Sequence, residues 1–113
     1  MRSSIFDVMD FPELRLWALR ALVQNETFIS SADGTLFLPG ECGYQIFTAM
    51  RSVVESGEKM IPTIVAQYLG YDSPCLRGLV DVFFHGANID ARMAQIYLDK
   101  LAVRSEQEAE YAA

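Results

Sequence analysis

The stretch Glu41-Cys42-Gly43-Tyr44-Gln45-Ile46-Phe47-Thr48-Ala49-Met50-Arg51-Ser52-Val53-Val54-Glu55-Ser56-Gly57 decides the fold. Gly43, Ile46, Phe47, Met50, Val53 and Val54 recur at spacings of three and four, which places them on one face of a helix and the polar residues on the other. The spacing predicts a helix from about Glu41 to Ser56, and Gly57 stands where a C-terminal cap belongs.

The same rhythm runs outward in both directions. Downstream, Ile61, Ile64, Val65, Tyr68 and Leu69 predict a shorter helix closed by Gly70. Asp72-Ser73-Pro74 then reads as a cap followed by a first-turn proline, launching Leu76, Leu79, Val80 and Phe83 and ending at His85-Gly86. Asn88 is the expected cap of the last helix, with Asp90 in its first turn. That helix carries Ile89, Met93, Ile96 and Tyr97 on one face, and Ala94, Leu98 and Leu101 towards another. Upstream, Asp10 reads as the cap of a helix whose stripe is Phe11, Leu14, Ala18, Ala21 and Leu22, with Pro12 in the first turn. Leu16, Leu19 and Val23 form a second stripe, so this helix is either central in its domain or partly given to an interface.

Between Asn25 and Pro39 the pattern weakens. Glu26 to Ser30 is a candidate short helix, and Asp33-Gly34 is a turn signal. Thr35-Leu36-Phe37-Leu38 is the one candidate strand, with nothing to pair against. The expected architecture is an all-α compact bundle of five to six short helices. An N-terminal arm over 1–10 precedes the globular domain of 11–104, and an acidic tail over 105–113 continues the last helix or frays from it.

The 113 residues carry nine Lys+Arg against fifteen Asp+Glu, a net charge of −6, and 51% are hydrophobic. That composition belongs to a folded domain and not to a disordered chain. The acidity argues against nucleic acid as the main ligand, because phosphate binding needs concentrated cations. No apolar run spans a membrane or forms a signal peptide, so a cytoplasmic location is expected. Cys42 and Cys75 have no second pair to complete a zinc site and are expected as reduced, buried thiols.

Catalytic chemistry finds little support. His85 is the single histidine. Asp81, four residues earlier, could orient it or share a metal, yet a histidine in a last helical turn has a structural role through the helix dipole. The glycines form no phosphate loop, Glu106, Glu108 and Glu110 read as a solvated face, and neither cysteine has the basic neighbours that activate a thiol. No catalytic residue, cofactor or metal is assigned. A helix-turn-helix around Gly57 and Gly70 would need a reading helix over Ile61 to Leu69, which contains no basic residue. A binding module is what remains.

Four pieces of the chain carry a family resemblance. Ile46-Phe47-Thr48-Ala49-Met50-Arg51-Ser52-Val53-Val54-Glu55-Ser56-Gly57 resembles the I-F-x-A-M-x-x-L-x-x-x-G stretch in the N-terminal domain of DnaB-type replicative helicases. Ala66 and Leu69 fall on that family's next A-x-x-L. Ala87-Asn88-Ile89, followed by Tyr97 through Arg104, is similar to its A-N-I helix. Glu13-Leu14 and Leu19 through Asn25 match its first helix. The likeness spans roughly residues 11 to 106. Departures are Ile61-Pro62, where the family often places a capping Asp, and a shortened segment before Ala87 that lacks the usual P-S. The helicase-binding C-terminal domain of bacterial primase is similar in pattern, and Leu22-Val23-Gln24-Asn25 fits it equally well.

The resemblance implies a primosome module that contacts the replicative helicase and/or primase, helps order a hexamer and associates with further copies of itself. It also implies no ATP hydrolysis by this chain, since that belongs to a following RecA-like domain. The chain is then either part of a larger helicase or a standalone regulator or loader. A small helical DNA-binding regulator is the alternative from another class. The expected partner-binding residues are Leu16, Leu19 and Val23 on the first helix and Arg92, Leu98 and Lys100 on the last. The reason is that one bundle core does not easily cover both faces of each helix.

Overall fold

The computed structural model describes residues 11–37 and 40–112. Five α-helices account for most of them: α1 (Phe11–Gln24), α2 (Cys42–Glu55), α3 (Pro62–Leu69), α4 (Leu76–Phe83) and α5 (Ala91–Ala112), with 3-10 turns at Glu26–Phe28 and Gly34–Leu36. No strand occurs among the described residues. The all-helical class is therefore as the periodicity predicts. Of the candidate strand, Thr35 and Leu36 belong to the second 3-10 turn and Leu38 lies outside the described residues, and the candidate helix after Asn25 shortens to the first 3-10 turn.

Sequence punctuation sets the ends of α2 and α3. Gly57 and Gly70 have φ of +72° and +101°, a region open to glycine and strained for other residues, so each chain reversal falls where the apolar stripe stops. Pro62 opens α3 at the position where a missing N–H is harmless. Two caps differ from expectation. Ser73 Oγ accepts the Cys75 N–H at 3.1 Å inside a turn, and α4 begins only after Cys75. At α5 the cap is Asp90 and not Asn88: Asp90 Oδ1 accepts the Met93 N–H at 2.9 Å, which satisfies a donor of the first turn. The Asp10 cap and the 1–10 arm lie outside the described residues. Over 105–112 the backbone continues α5.

Helix α1 is the central element, packed against α2, α4 and α5. Leu14, Ala18, Ala21 and Leu22 are fully enclosed, and Leu19 is nearly so. Around them close Phe47, Met50 and Val53 of α2, Val65 of α3, Leu79 and Val82 of α4, and Ala94 and Leu101 of α5. Phe37, from the connection, stacks on Phe47 with ring centroids 5.0 Å apart. One register differs in α4: Val82 is buried and Val80 is exposed. The helix is short and meets its neighbours along one line, so only one of two residues separated by about 200° can face inward.

The connection after α1 is held by Arg51. Its guanidinium donates to the carbonyls of Ala32 and Ile29 and lies 4.6 Å from the Phe47 ring centroid. A second tie joins the end of α1 to the α4–α5 connection. Gln24 Nε2 donates to the Ala87 carbonyl at 2.9 Å, and Gln24 Oε1 accepts the Ile89 N–H at 2.8 Å. Asn25 Nδ2 donates to the Ile89 carbonyl at 2.9 Å.

Cys42 and Cys75 form a disulfide with Cα atoms 5.2 Å apart, linking the first residue of α2 to the residue before α4. This corrects the expectation of two reduced thiols. Thirty-three positions of separation say nothing about distance in space, whereas antiparallel return through α3 brings both helix starts to the same end of the bundle.

Candidate functional site

A groove of about 380 Å³ opens where α1, α2 and α4 meet. Its walls are largely apolar: Leu16 and Leu19 from α1, Ile46 from α2 and Val82 from α4. Gly78 lets α2 and α4 approach closely here, and Gly43 also lines the groove. A Cβ on Gly78 would lie 2.9 Å from Ile46 Cδ1, whereas one on Gly43 would make only ordinary contacts, 3.6 Å from Phe37 Cδ1 and 3.9 Å from Leu19 Cδ1. Three charged residues complete the lining: Arg15, Glu41 and Asp81. Arg15 is 7% exposed, and its Nη1 lies 3.9 Å from the more accessible Glu41 carboxylate. Asp81 is exposed. Cys42 is part of the same wall, so the disulfide ties the α2 side of the groove to the start of α4.

Of the six residues expected to bind a partner, two meet here. Leu16 is half-buried and available from the groove, while Leu19 is 3% exposed and forms its floor. Val23 packs against the core away from this site. On α5, Arg92 is exposed, Lys100 is half-buried, and Leu98 is only 8% exposed. Leu19 and Leu98 are thus core residues. The premise that one core leaves a second stripe uncovered does not hold for them, because α1 has helices on three sides. Arg15, Glu41, Asp81 and the two glycines are absent from that prediction. Gly43 was legible as a small residue within an apolar stripe; the charged members were not, since no local pattern joins positions 15, 41 and 81.

A second cluster surrounds Trp17. Tyr97 stacks on it with centroids 6.1 Å apart, His85 meets it edge-on at 5.9 Å, and the Arg20 guanidinium lies 4.5 Å from its ring centroid. Arg20 Nε also donates to the Asp81 carbonyl at 2.8 Å. His85 lies two residues beyond α4 and not in its last turn, so the expected dipole role does not apply. Its Nδ1 accepts the Ala87 N–H at 3.1 Å, which requires the neutral ring. Burial, and then the Arg20 charge, lower the His85 pKa from 6.5, and burial raises that of Tyr97 above 10.0. Asp81 contacts this cluster through its backbone, and no His–Asp pair forms by the expected side-chain route in the hydrogen bonds of the described residues.

Among the described residues no three His, Cys, Asp or Glu side chains group as metal ligands. Among the described residues there is no parallel sheet of the kind that carries nucleotide hydrolysis. No described helix is long and apolar enough to cross a membrane. Set against protein-family models, curated proteins and solved structures, the chain matches none.

Proposed function

We propose that this chain is a non-catalytic protein-interaction module of the replication primosome, acting as the collar domain of DnaB-type helicases acts. Its partners on this reading are the replicative helicase and/or primase in the cytoplasm. The observation that carries it is the joining of two resemblance segments. Gln24-Asn25, from the first-helix motif, is hydrogen-bonded to Ala87 and Ile89 of the A-N-I segment. These polar residues have a structural task at matching positions, which apolar periodicity alone would not demand. The Cys42–Cys75 bond weighs on the other side for location, since structural disulfides are rare in reducing compartments.

The primase C-terminal module is a second reading, which Leu22-Val23-Gln24-Asn25 fits equally well, and its partner would be the helicase collar. Binding of the full chain to purified replicative helicase and to purified primase tests both. Capture of primase supports the collar reading, capture of helicase alone supports the primase-like or regulator reading, and capture of neither at micromolar concentration overturns the proposal. A mobility shift on DNA that weakens steeply with salt would instead support the DNA-binding regulator.

A further inference from the structure

We infer that the Cys42–Cys75 bond is a reversible thiol–disulfide switch, opened at Cys42 by a reducing dithiol, that sets the order of one wall of the groove. The two sulfurs differ in access. Cys42 is exposed and lines the groove, whereas Cys75 is 1% exposed and is not among the lining residues. Access decides which sulfur a thiolate attacks. A thiolate of the reductant bonds to Cys42 Sγ, the Cys42–Cys75 bond breaks, and the Cys75 sulfur leaves as a thiolate that takes a proton from water. The second thiol of the reductant then attacks its own sulfur in the mixed disulfide and releases Cys42, which is protonated in turn. Two electrons pass to the protein, which ends as two thiols, and the reductant ends as a disulfide.

What the bond holds is local. Both helix starts that it joins lack a side-chain cap hydrogen bond, at Glu41 before α2 and at Cys75 before α4. At α2 the backbone is also permissive, with Gly40 at φ +90° and Gly43 in the first turn. The Gln45 N–H reaches the Glu41 carbonyl at 3.3 Å, longer than a usual helical bond. Further along, burial of Ile46, Phe47, Met50 and Val53 fixes the helix. The start of α4 is held by Ser73 and by the buried Leu79 and Val82. Breaking the tie therefore frees the first turn of α2 and spares the rest. Glu41, Cys42 and Gly43 line the groove from that turn or beside it, so the redox state governs the shape of this wall. Disulfides that occur in reducing compartments are mostly transient or redox-sensing, which makes such a bond compatible with the proposed cytoplasmic location. The switch does not depend on which partner the chain binds.

The test uses the full chain and two probes, dithiothreitol and reduced glutathione, without denaturant. Dithiothreitol should open the bond while most of the helical circular dichroism is retained. NMR order parameters of the Gly43, Tyr44 and Gln45 amides should then fall from about 0.85 to below about 0.6, while those of Met50 and Val53 hold. Reoxidation should restore the first set. Glutathione, trapped by acid quench and located by mass spectrometry, should be found on Cys42. In Cys75→Ser the remaining Cys42 should accept glutathione from glutathione disulfide, and in Cys42→Ser the remaining Cys75 should not. The trapped adduct and the order parameters are read on the unaltered chain, so they decide the matter even where a variant fails to fold. Reduction only in denaturant, broad loss of helicity on reduction, an adduct on Cys75, or equal order parameters in both redox states would each overturn the assignment. No replication protein enters this test, so its failure leaves the primosome reading standing, and failure of helicase or primase capture leaves the switch standing.

Discussion

At the scale of single residues, His85 couples the fold to pH. Its Nδ1 accepts the Ala87 N–H only while the ring is neutral, and burial and Arg20 both hold its folded pKa below 6.5. As pH falls below 6.5 the unfolded chain therefore takes up a proton before the folded one does. The associated stability is complete above pH 6.5 and is lost as pH falls from there through the lower folded value. Chemical denaturation followed by Trp17 fluorescence should show less stability at pH 5.5 than at pH 7.5, two values chosen as roughly one unit on either side of the ordinary histidine pKa. His85→Gln should flatten that difference, and an undiminished difference in the variant would assign it to the carboxylates. Trp17 is a direct reporter because it is the single tryptophan and its ring touches His85. None of this contact was legible in the sequence, which places residues 17 and 85 far apart and permits any orientation of the imidazole.

Among the elements, the boundaries show where local sequence rules suffice. Gly57 and Gly70 end their helices as predicted, because positive φ is a property of the residue and its immediate chain. The start of α5 was misplaced by two residues, since Asn88 and Asp90 are both good caps and only the backbone path selects between them. Asp90→Ala should cost about 1 kcal/mol by urea denaturation, while Asn88→Ala should be nearly silent. A similar cost for both substitutions would contradict the cap geometry of Asp90 Oδ1 on the Met93 N–H. Helix α4 makes the same point for faces. Leu79 was legible as buried, but the exchange of Val80 for Val82 in the core follows from how a two-turn helix leans on α1 and α3.

For the whole molecule, the Cys42–Cys75 bridge is the principal long-range constraint. Closing a loop of 33 positions restricts the unfolded chain by roughly 3 to 4 kcal/mol in the chain-entropy treatment. Reduction, or the paired change Cys42→Ala and Cys75→Ala, should lower stability by up to about that amount without loss of helicity. Alkylation before reduction should leave both sulfurs unmodified in mass spectra, and ready alkylation of native protein would show the pair as thiols. The bundle should survive reduction because its apolar core, from Leu14 to Leu101, does not depend on the bridge. By itself the sequence determined that this protein is helical, where α2 and α3 end, and that α1 has two apolar faces, all consequences of residue spacing and backbone preference within a few turns. Only the tertiary structure decided that α1 is covered on three sides, that Leu19 and Leu98 are core, that the cysteines pair, and that Arg15, Glu41 and Asp81 line one groove. Those outcomes depend on how separate helices pack, a contact between distant positions that no local spacing encodes.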